Sequence, residues 1–237
     1  MSTFILVHGA WHGAWCWYKI LPLLEKAGHK AIAVDLPGFG RDRTPARDIS
    51  LQSYVDRVCA AIDEQPGRVV LVGHSRGGIV ISQTAEQRPA RVEKLVYLAA
   101  FLLPGGQAMI PGAFDDPGSL LLPNLIVNEA QGYATVREEA YRDAMYGDCF
   151  EEDVALAALL LTPEPMAPLA TPLDLSEQNF GRVPRVYIET LRDNAVTLSK
   201  QRRMVAAMPC EEVISMNTSH SPFLSAPQRL AKHLVSL

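Results

Sequence analysis

The stretch Gly73-His74-Ser75-Arg76-Gly77-Gly78 sets a serine in a G-x-S-x-G pattern. It directly follows the apolar run Val69-Val70-Leu71-Val72 and directly precedes Ile79-Val80-Ile81-Ser82-Gln83-Thr84-Ala85. Strand, tight turn and helix in that order make such a serine a nucleophile, because the turn exposes its hydroxyl at the top of the sheet. Glycines are needed where chain crosses chain with no room for a Cβ. The same turn brings the Arg76 N–H and a helix N-terminus beside the hydroxyl. An oxyanion formed there would meet positive dipole.

A serine hydroxyl needs a base to attack at neutral pH. Of the six histidines, His74 lies inside the turn and is expected to point away from it. His8 and His12 flank the loop after the first apolar run, His29 follows a helical stretch, and His233 sits on the terminal one. His220 lies in Asn217-Thr218-Ser219-His220-Ser221-Pro222, just past the last apolar run. Sites in open α/β sheets form at the carboxyl ends of strands, and this turn type is followed along the chain by an acid and then a histidine. His220 is therefore the candidate base. The acid that would orient it comes from Glu189-Thr190-Leu191-Arg192-Asp193-Asn194, with Asp193 preferred for its loop position and Glu189 its rival. Asp193 could instead cap a helix ahead of Ala195. Asp35 reads as a turn residue. A second oxyanion donor is expected from His8-Gly9-Ala10-Trp11, where Gly9 lets the chain approach Ser75 and the Ala10 N–H partners that of Arg76. Trp11 and Trp15 could line a pocket or pack inside the fold.

The elements that must hold these groups are legible as an alternation. Phe4–Val7, Ala31–Val34, Val69–Val72, Leu95–Leu98, Val186–Ile188 and Val213–Ile214 are short, β-branched and continuously apolar. Strands buried on both faces of a parallel sheet read this way. Helical stretches run Trp17–Lys26, Leu51–Glu64, Gly77–Gln87, Ala195–Met208 and Pro227–Val235. The expected fold is α/β, a mostly parallel sheet flanked by helices. Residues 102–182 break the rhythm: prolines recur, and helices are expected at Thr135–Met145 and Glu151–Leu161. This reads as a helical cap inserted into a core of residues 1–101 and 183–237. The insert holds 13 Asp plus Glu against three Arg and no Lys. Its acids read as a solvated face, or alternatively as a screen against anionic substrates. Its apolar residues, with Leu103, Met109 and Phe114 foremost, are expected to join Trp11 in lining a substrate pocket.

Composition narrows the function classes. The chain has 237 residues and a formal charge of −4, which suits one large domain and argues against broad nucleic-acid binding. The longest apolar run, Leu95–Leu103, is short of the ~20 residues that span a bilayer. The N-terminus reads as a buried strand rather than a signal peptide. Cys16, Cys59, Cys149 and Cys210 are scattered, which suits reduced, core-type thiols in a cytoplasmic protein and gives no metal site.

With these residues in hand, the chain resembles the α/β-hydrolases, and among them the plant methylesterase and hydroxynitrile lyase branch with its bacterial esterase relatives. The likeness runs over nearly the whole chain. It rests on Val7-His8-Gly9-Ala10, Trp11-His12-Gly13-Ala14-Trp15, Asp35-Leu36-Pro37-Gly38, Gly73-His74-Ser75-Arg76-Gly77-Gly78, Asp193 and His220. It implies an α/β-hydrolase fold, a triad of Ser75, Asp193 and His220, and oxyanion N–H groups at Ala10 and Arg76. It further implies a serine carboxylic-ester hydrolase that acts through an acyl-enzyme without metal or cofactor. The lyase members differ in carrying a threonine at Gly9 and a lysine at Ser221, which favours an esterase over a lyase. Where plant relatives have an apolar residue, this chain has Arg76, whose side chain is expected to point to solvent. The expected substrate is a small or medium, mainly neutral apolar ester. Hydroxynitrile lyase, C–C hydrolase and non-enzymatic receptor are the alternatives. No nucleic acid or membrane partner is expected, and a homodimer is the candidate assembly.

Overall fold

Each of the six apolar runs forms a strand of one parallel sheet. The computed structural model describes all residues 1–237. The chain runs β1 (Thr3–Val7), α1 (Leu21–Lys26), β2 (Lys30–Val34), α2 (Leu51–Asp63), β3 (Val69–His74), α3 (Gly77–Gln87) and β4 (Val92–Leu98). An insertion follows, with α4 (Met109–Gly112), β5 (Leu125–Asn128), β6 (Tyr133–Val136), α5 (Tyr141–Met145), α6 (Glu151–Leu160), β7 (Glu164–Pro165) and α7 (Met166–Ala170). The core resumes with β8 (Arg185–Thr190), α8 (Leu198–Ala207), β9 (Glu212–Met216), α9 (Pro222–Ser225) and α10 (Pro227–Ser236). The large sheet has the order β2-β1-β3-β4-β8-β9, and every pairing in it is parallel.

The continuous apolar character of the strands has a direct cause. Successive side chains point to opposite faces, and both faces are covered. Ile5, Val7, Leu71, Leu95, Tyr97 and Tyr187 belong to one buried cluster. Their neighbours Phe4, Leu6, Val70, Val72, Val96, Leu98 and Ile188 belong to the other.

Strand order also places the crevice. β1 lies between β2 and β3, so the chain moves toward one sheet edge after β1 and toward the other after β2. The carboxyl ends of β1 and β3 therefore flank the switch point, where open α/β sheets bind ligands.

Several boundaries differ from the sequence reading for local reasons. The stretch expected to be helical from Trp17 begins as a 3-10 turn at Ala14–Trp17, and α1 starts only at Leu21. Pro22 fits the first turn of a helix but not its interior. α8 starts at Leu198 because Thr197 caps it, its side chain accepting from the Lys200 N–H. The larger correction lies in the insertion. Thr135 and Val136, expected to open a helix, belong to β6, in a three-stranded antiparallel sheet of order β5-β6-β7. In β6, buried Ala134 and Val136 alternate with half-buried Tyr133 and Thr135, a period of two rather than 3.6. The cap is thus mixed, not purely helical. No helix is long and apolar enough to cross a membrane.

The glycine at the start of α3 is a tight point. A Cβ on Gly78 would overlap the Phe101 carbonyl oxygen and stand 3.0 Å from the Ala100 Cβ. Gly78→Ala should lower the unfolding free energy by about 1–3 kcal/mol, read as an earlier urea midpoint. An unchanged midpoint would show that the α3–β4 contact can relax.

Candidate active site

Three non-glycine residues have left-handed backbone: Trp11 at φ 61°, Ser75 at φ 52° and Ala99 at φ 45°. They follow β1, β3 and β4, so the strain gathers at one end of the sheet. Such conformations cost about 1–3 kcal/mol each and persist where surrounding structure fixes them. At Ser75 the fixing is visible. Its N–H donates to the Leu98 carbonyl at 3.1 Å, and its carbonyl accepts from Gly78 and Phe101 at 3.0 Å each. Gly9 packs against this turn. A Cβ there would stand 2.7 Å from His74 Nδ1 and 3.0 Å from the Ser75 Cβ, so its glycine is required by close approach.

Asp193 and His220 meet, with Oδ2 accepting from His220 Nδ1 at 2.7 Å. Both are nearly inaccessible. Oδ2 also accepts from Thr190 Oγ1 at 2.8 Å and Gln201 Nε2 at 3.2 Å. Oδ1 takes the N–H groups of Ala195 and Val196 at 2.8 and 2.9 Å. Asp193 therefore both holds the His220 ring and turns the chain ahead of α8. Glu189 is committed elsewhere, to Arg202 at 2.9 and 3.0 Å and to Ser215 Oγ at 2.7 Å. Asp35 is a turn residue, accepting from the Ala14 N–H at 2.6 Å.

The His220 loop is held from two sides. His74 Nε2 donates to the His220 carbonyl at 2.9 Å, and the two rings lie 4.5 Å apart. Asp148, from the cap, accepts from the Ser219 N–H at 3.0 Å and from its hydroxyl.

The loop after β1 is arranged with equal care. His8 Nδ1 and Arg76 Nη2 donate to the Gly9 carbonyl at 2.8 and 3.0 Å. In a trans peptide the N–H points opposite to the C=O, so the Ala10 N–H faces away from these groups. Ala10 and Ser75 line the same cavity. Neither the Ala10 N–H nor the Arg76 N–H has an acceptor within the protein. The next carbonyl, Ala10 O, accepts from His12 Nδ1 at 2.7 Å, and the Tyr146 hydroxyl donates to His12 Nε2 at 2.7 Å.

The Arg76 side chain corrects the expectation of a solvent-facing group. It is fully buried and pairs with the equally buried Glu164 of β7, Nε to Oε1 at 3.1 Å. Its guanidinium lies over Tyr54 at 4.7 Å and Phe39 at 5.1 Å. Burial pushes the Glu164 carboxyl above the usual range, while Arg76 and the Trp11 N–H pull it back. Sequence gave no local signal for Glu164, whose partner lies 88 residues away along the chain.

Fifteen of the 18 residues lining the cavity at Ser75 are hydrophobic. With its open mouth included it spans about 640 Å³ of empty space. Trp11, Met109 and Phe114 line it. Leu103 does not; it packs into the core cluster beneath. Trp15 lies outside too, stacked on His12 with ring centroids 5.4 Å apart.

The buried imidazoles behind the site are held neutral. Burial brings His12 down to about 4 and lowers His8 and His74 well below their ordinary value, with only partial offset from their hydrogen bonds to backbone carbonyls. Such groups stabilise the fold only while neutral. Their contribution is complete above pH 6.5 and is lost as pH falls toward the folded value. For His12 alone, 6.5 against about 4 corresponds to about 3 kcal/mol. Unfolding free energy should therefore fall between pH 6.5 and pH 4, with His12 still neutral by NMR at pH 5. A His12 ring that is protonated at pH 6 would refute this account.

Comparison with known proteins agrees with the architecture. The model of the alpha/beta hydrolase family matches residues 4–233, and the chain belongs to that family. It is 36% identical over 252 residues to putative methylesterase 11, chloroplastic, of Arabidopsis thaliana, covering 100% of this chain and 64% of that relative. The chain thus spans less than two thirds of the length of that protein. It is 33% identical to methylesterase 2 of the same plant, with 99% of this chain and 95% of the relative covered. The crystal structure of an Arabidopsis methylesterase superposes with a TM-score of 0.85 at 29% identity, covering 100% of this chain and 98% of that one.

Proposed function

We propose that this alpha/beta hydrolase is a serine carboxylic-ester hydrolase, with Ser75 as nucleophile, His220 as base and Asp193 as its orienting acid. The observation that carries the reading is Ser75, held in left-handed backbone on the wall of an apolar cavity, next in the chain to a histidine that grips the His220 loop. Likeness to proteins named methylesterases supports an ester substrate with a small alcohol group.

In this reading Ser75 Oγ attacks the ester carbonyl and His220 Nε2 takes its proton. Nδ1 stays bonded to Asp193, which fixes the tautomer and stabilises the imidazolium. The carbonyl oxygen, now an oxyanion, accepts from the Ala10 and Arg76 N–H groups. Neither donor has a protein acceptor, and each is worth about 3–4 kcal/mol by analogy with other hydrolases. His220 returns the proton to the leaving alcohol, giving an acyl-enzyme and free alcohol. Water, deprotonated by His220, then attacks the acyl carbon and releases the acid and Ser75. Every bond is accounted for without a metal or cofactor.

The cavity supports a neutral, apolar ester. Its two carboxylates are already engaged: Asp116 with the Thr197 N–H and hydroxyl, Glu164 with Arg76. A hydroxynitrile lyase fits less well. The threonine that lyase members carry at Gly9 could not be placed without moving His74. At Ser221, where they carry lysine, the side chain is fully buried.

Ser75→Ala should lower kcat by about 10⁴-fold or more, and Asp193→Asn by about 10³–10⁴-fold, on a panel of p-nitrophenyl and methyl esters. Full turnover in Ser75→Ala would discard the serine mechanism. Turnover limited to one per site in the wild type would favour a receptor. Matched acyl groups should be cleaved faster when neutral than when they carry a carboxylate, and the reverse order would discard the substrate class.

A further inference from the structure

The buried pair of Arg76 and Glu164 lies outside the reaction as just written, yet it surrounds one of its donors. Arg76 projects from the residue after the nucleophile and reaches back under the loop that follows β1, where its Nη2 grips the Gly9 carbonyl at 3.0 Å. Glu164 comes from the cap. Its Oε1 pairs with Arg76 Nε, and its Oε2 accepts from the Trp11 N–H at 3.1 Å. The two peptides on either side of Ala10 are thus each held by one member of the pair. Trp11 itself is tied to the cap twice more, through the Thr162 N–H to its carbonyl at 2.9 Å and its indole N–H to the Ala134 carbonyl at 2.9 Å. Its φ of 61° lies in the region an unsupported tryptophan avoids.

We propose that Arg76 and Glu164 are positioning residues: together they lock the Gly9–Ala10–Trp11 backbone so that the Ala10 N–H stays aimed at the cavity, making that donor dependent on the docked cap. A buried ion pair is an expensive structural device, since matched apolar residues commonly serve as well or better for stability. Here each member also spends a second contact on the same three residues. Charge balance adds a constraint. A lone carboxylate on the cavity wall would oppose negative charge forming beside Ser75, and Arg76 cancels it. The inference rests on the ester-hydrolase reading for its kinetic arm only.

Three variants test it. Arg76→Met leaves Glu164 buried without its partner and should lose both Tm and activity. Arg76→Met/Glu164→Gln removes both charges. Its Tm should recover toward the wild-type value while kcat stays at least tenfold low with KM within threefold. Recovery of kcat along with Tm would show that the pair serves folding alone and would overturn the proposal. Glu164→Gln keeps an acceptor for the Trp11 N–H but turns an amide toward Arg76, and it decides the matter should the double variant not fold. Its kcat should fall at least threefold even though it leaves the site more positive. An unchanged or raised kcat would overturn the positioning role. Amide hydrogen exchange of residues 9–11 in Glu164→Gln needs no turnover. Because Arg76 is left buried without its carboxylate, Tm falls as well, so exchange at residues 9–11 should quicken at least tenfold more than in β3, and quickening no greater than in β3 would overturn the proposal. Labelling of wild-type Ser75 by a fluorophosphonate is scored separately. Its absence would sink the serine mechanism and leave the exchange result to decide the positioning role.

Discussion

The turn at Ser75 is so closely packed that the rest of the molecule is arranged around it. A serine with φ of 52° is unfavourable alone. It survives because β4 lies alongside to receive its N–H, and because Gly78 and Phe101 both donate to its carbonyl. Those contacts require α3 to press against the chain leaving β4 at Gly78 and the loop after β1 to press against His74 at Gly9. Two glycines and one strained serine therefore fix three strand ends relative to one another. The precision of the site follows from the absence of slack there.

The cap is held to this base by charge as well as by apolar contact. Every ion pair between cap and core takes its acid from the cap and its base from the core: Asp153 with Lys19, Glu164 with Arg76, Asp148 with Arg192 and Asp115 with Arg203. The acidic excess of residues 102–182 is therefore not only a solvated face. The exposed pairs contribute little individually. The buried ones matter because a misplaced cap would strand Asp153 or Glu164 without a partner, and an unpaired buried charge is severely destabilising. This sets the register of the cap on the core more than it adds net stability.

What could be seen in the sequence follows from how far the controlling interaction reaches. The six sheet strands and the serine turn were legible because their signals are local: an apolar run, a glycine spacing, a helix that begins at once. The placement of Asp193 and His220 at the sheet's carboxyl end followed from chain order. Residues governed by distant partners were not legible. Arg76 looked like a surface residue because nothing nearby in the chain announces Glu164. Leu103 looked like a pocket residue because its apolar character does not say which side of the first cap turn it faces. Thr135 and Val136 looked helical because a four-residue strand has too short a pattern to compete with the helix that follows it.

The imidazoles behind the site carry a last consequence. The tautomers of His8, His12 and His74 are each dictated by a carbonyl oxygen, and burial keeps all three uncharged. The Nε2 of His74 already donates to the His220 backbone, and its Nδ1 faces Gly9 with no hydrogen-bond partner. A proton arriving at the His220 ring thus finds no relay through His74 toward the other two imidazoles. On that side the crevice is insulated, and the ring's one charged neighbour is Asp193.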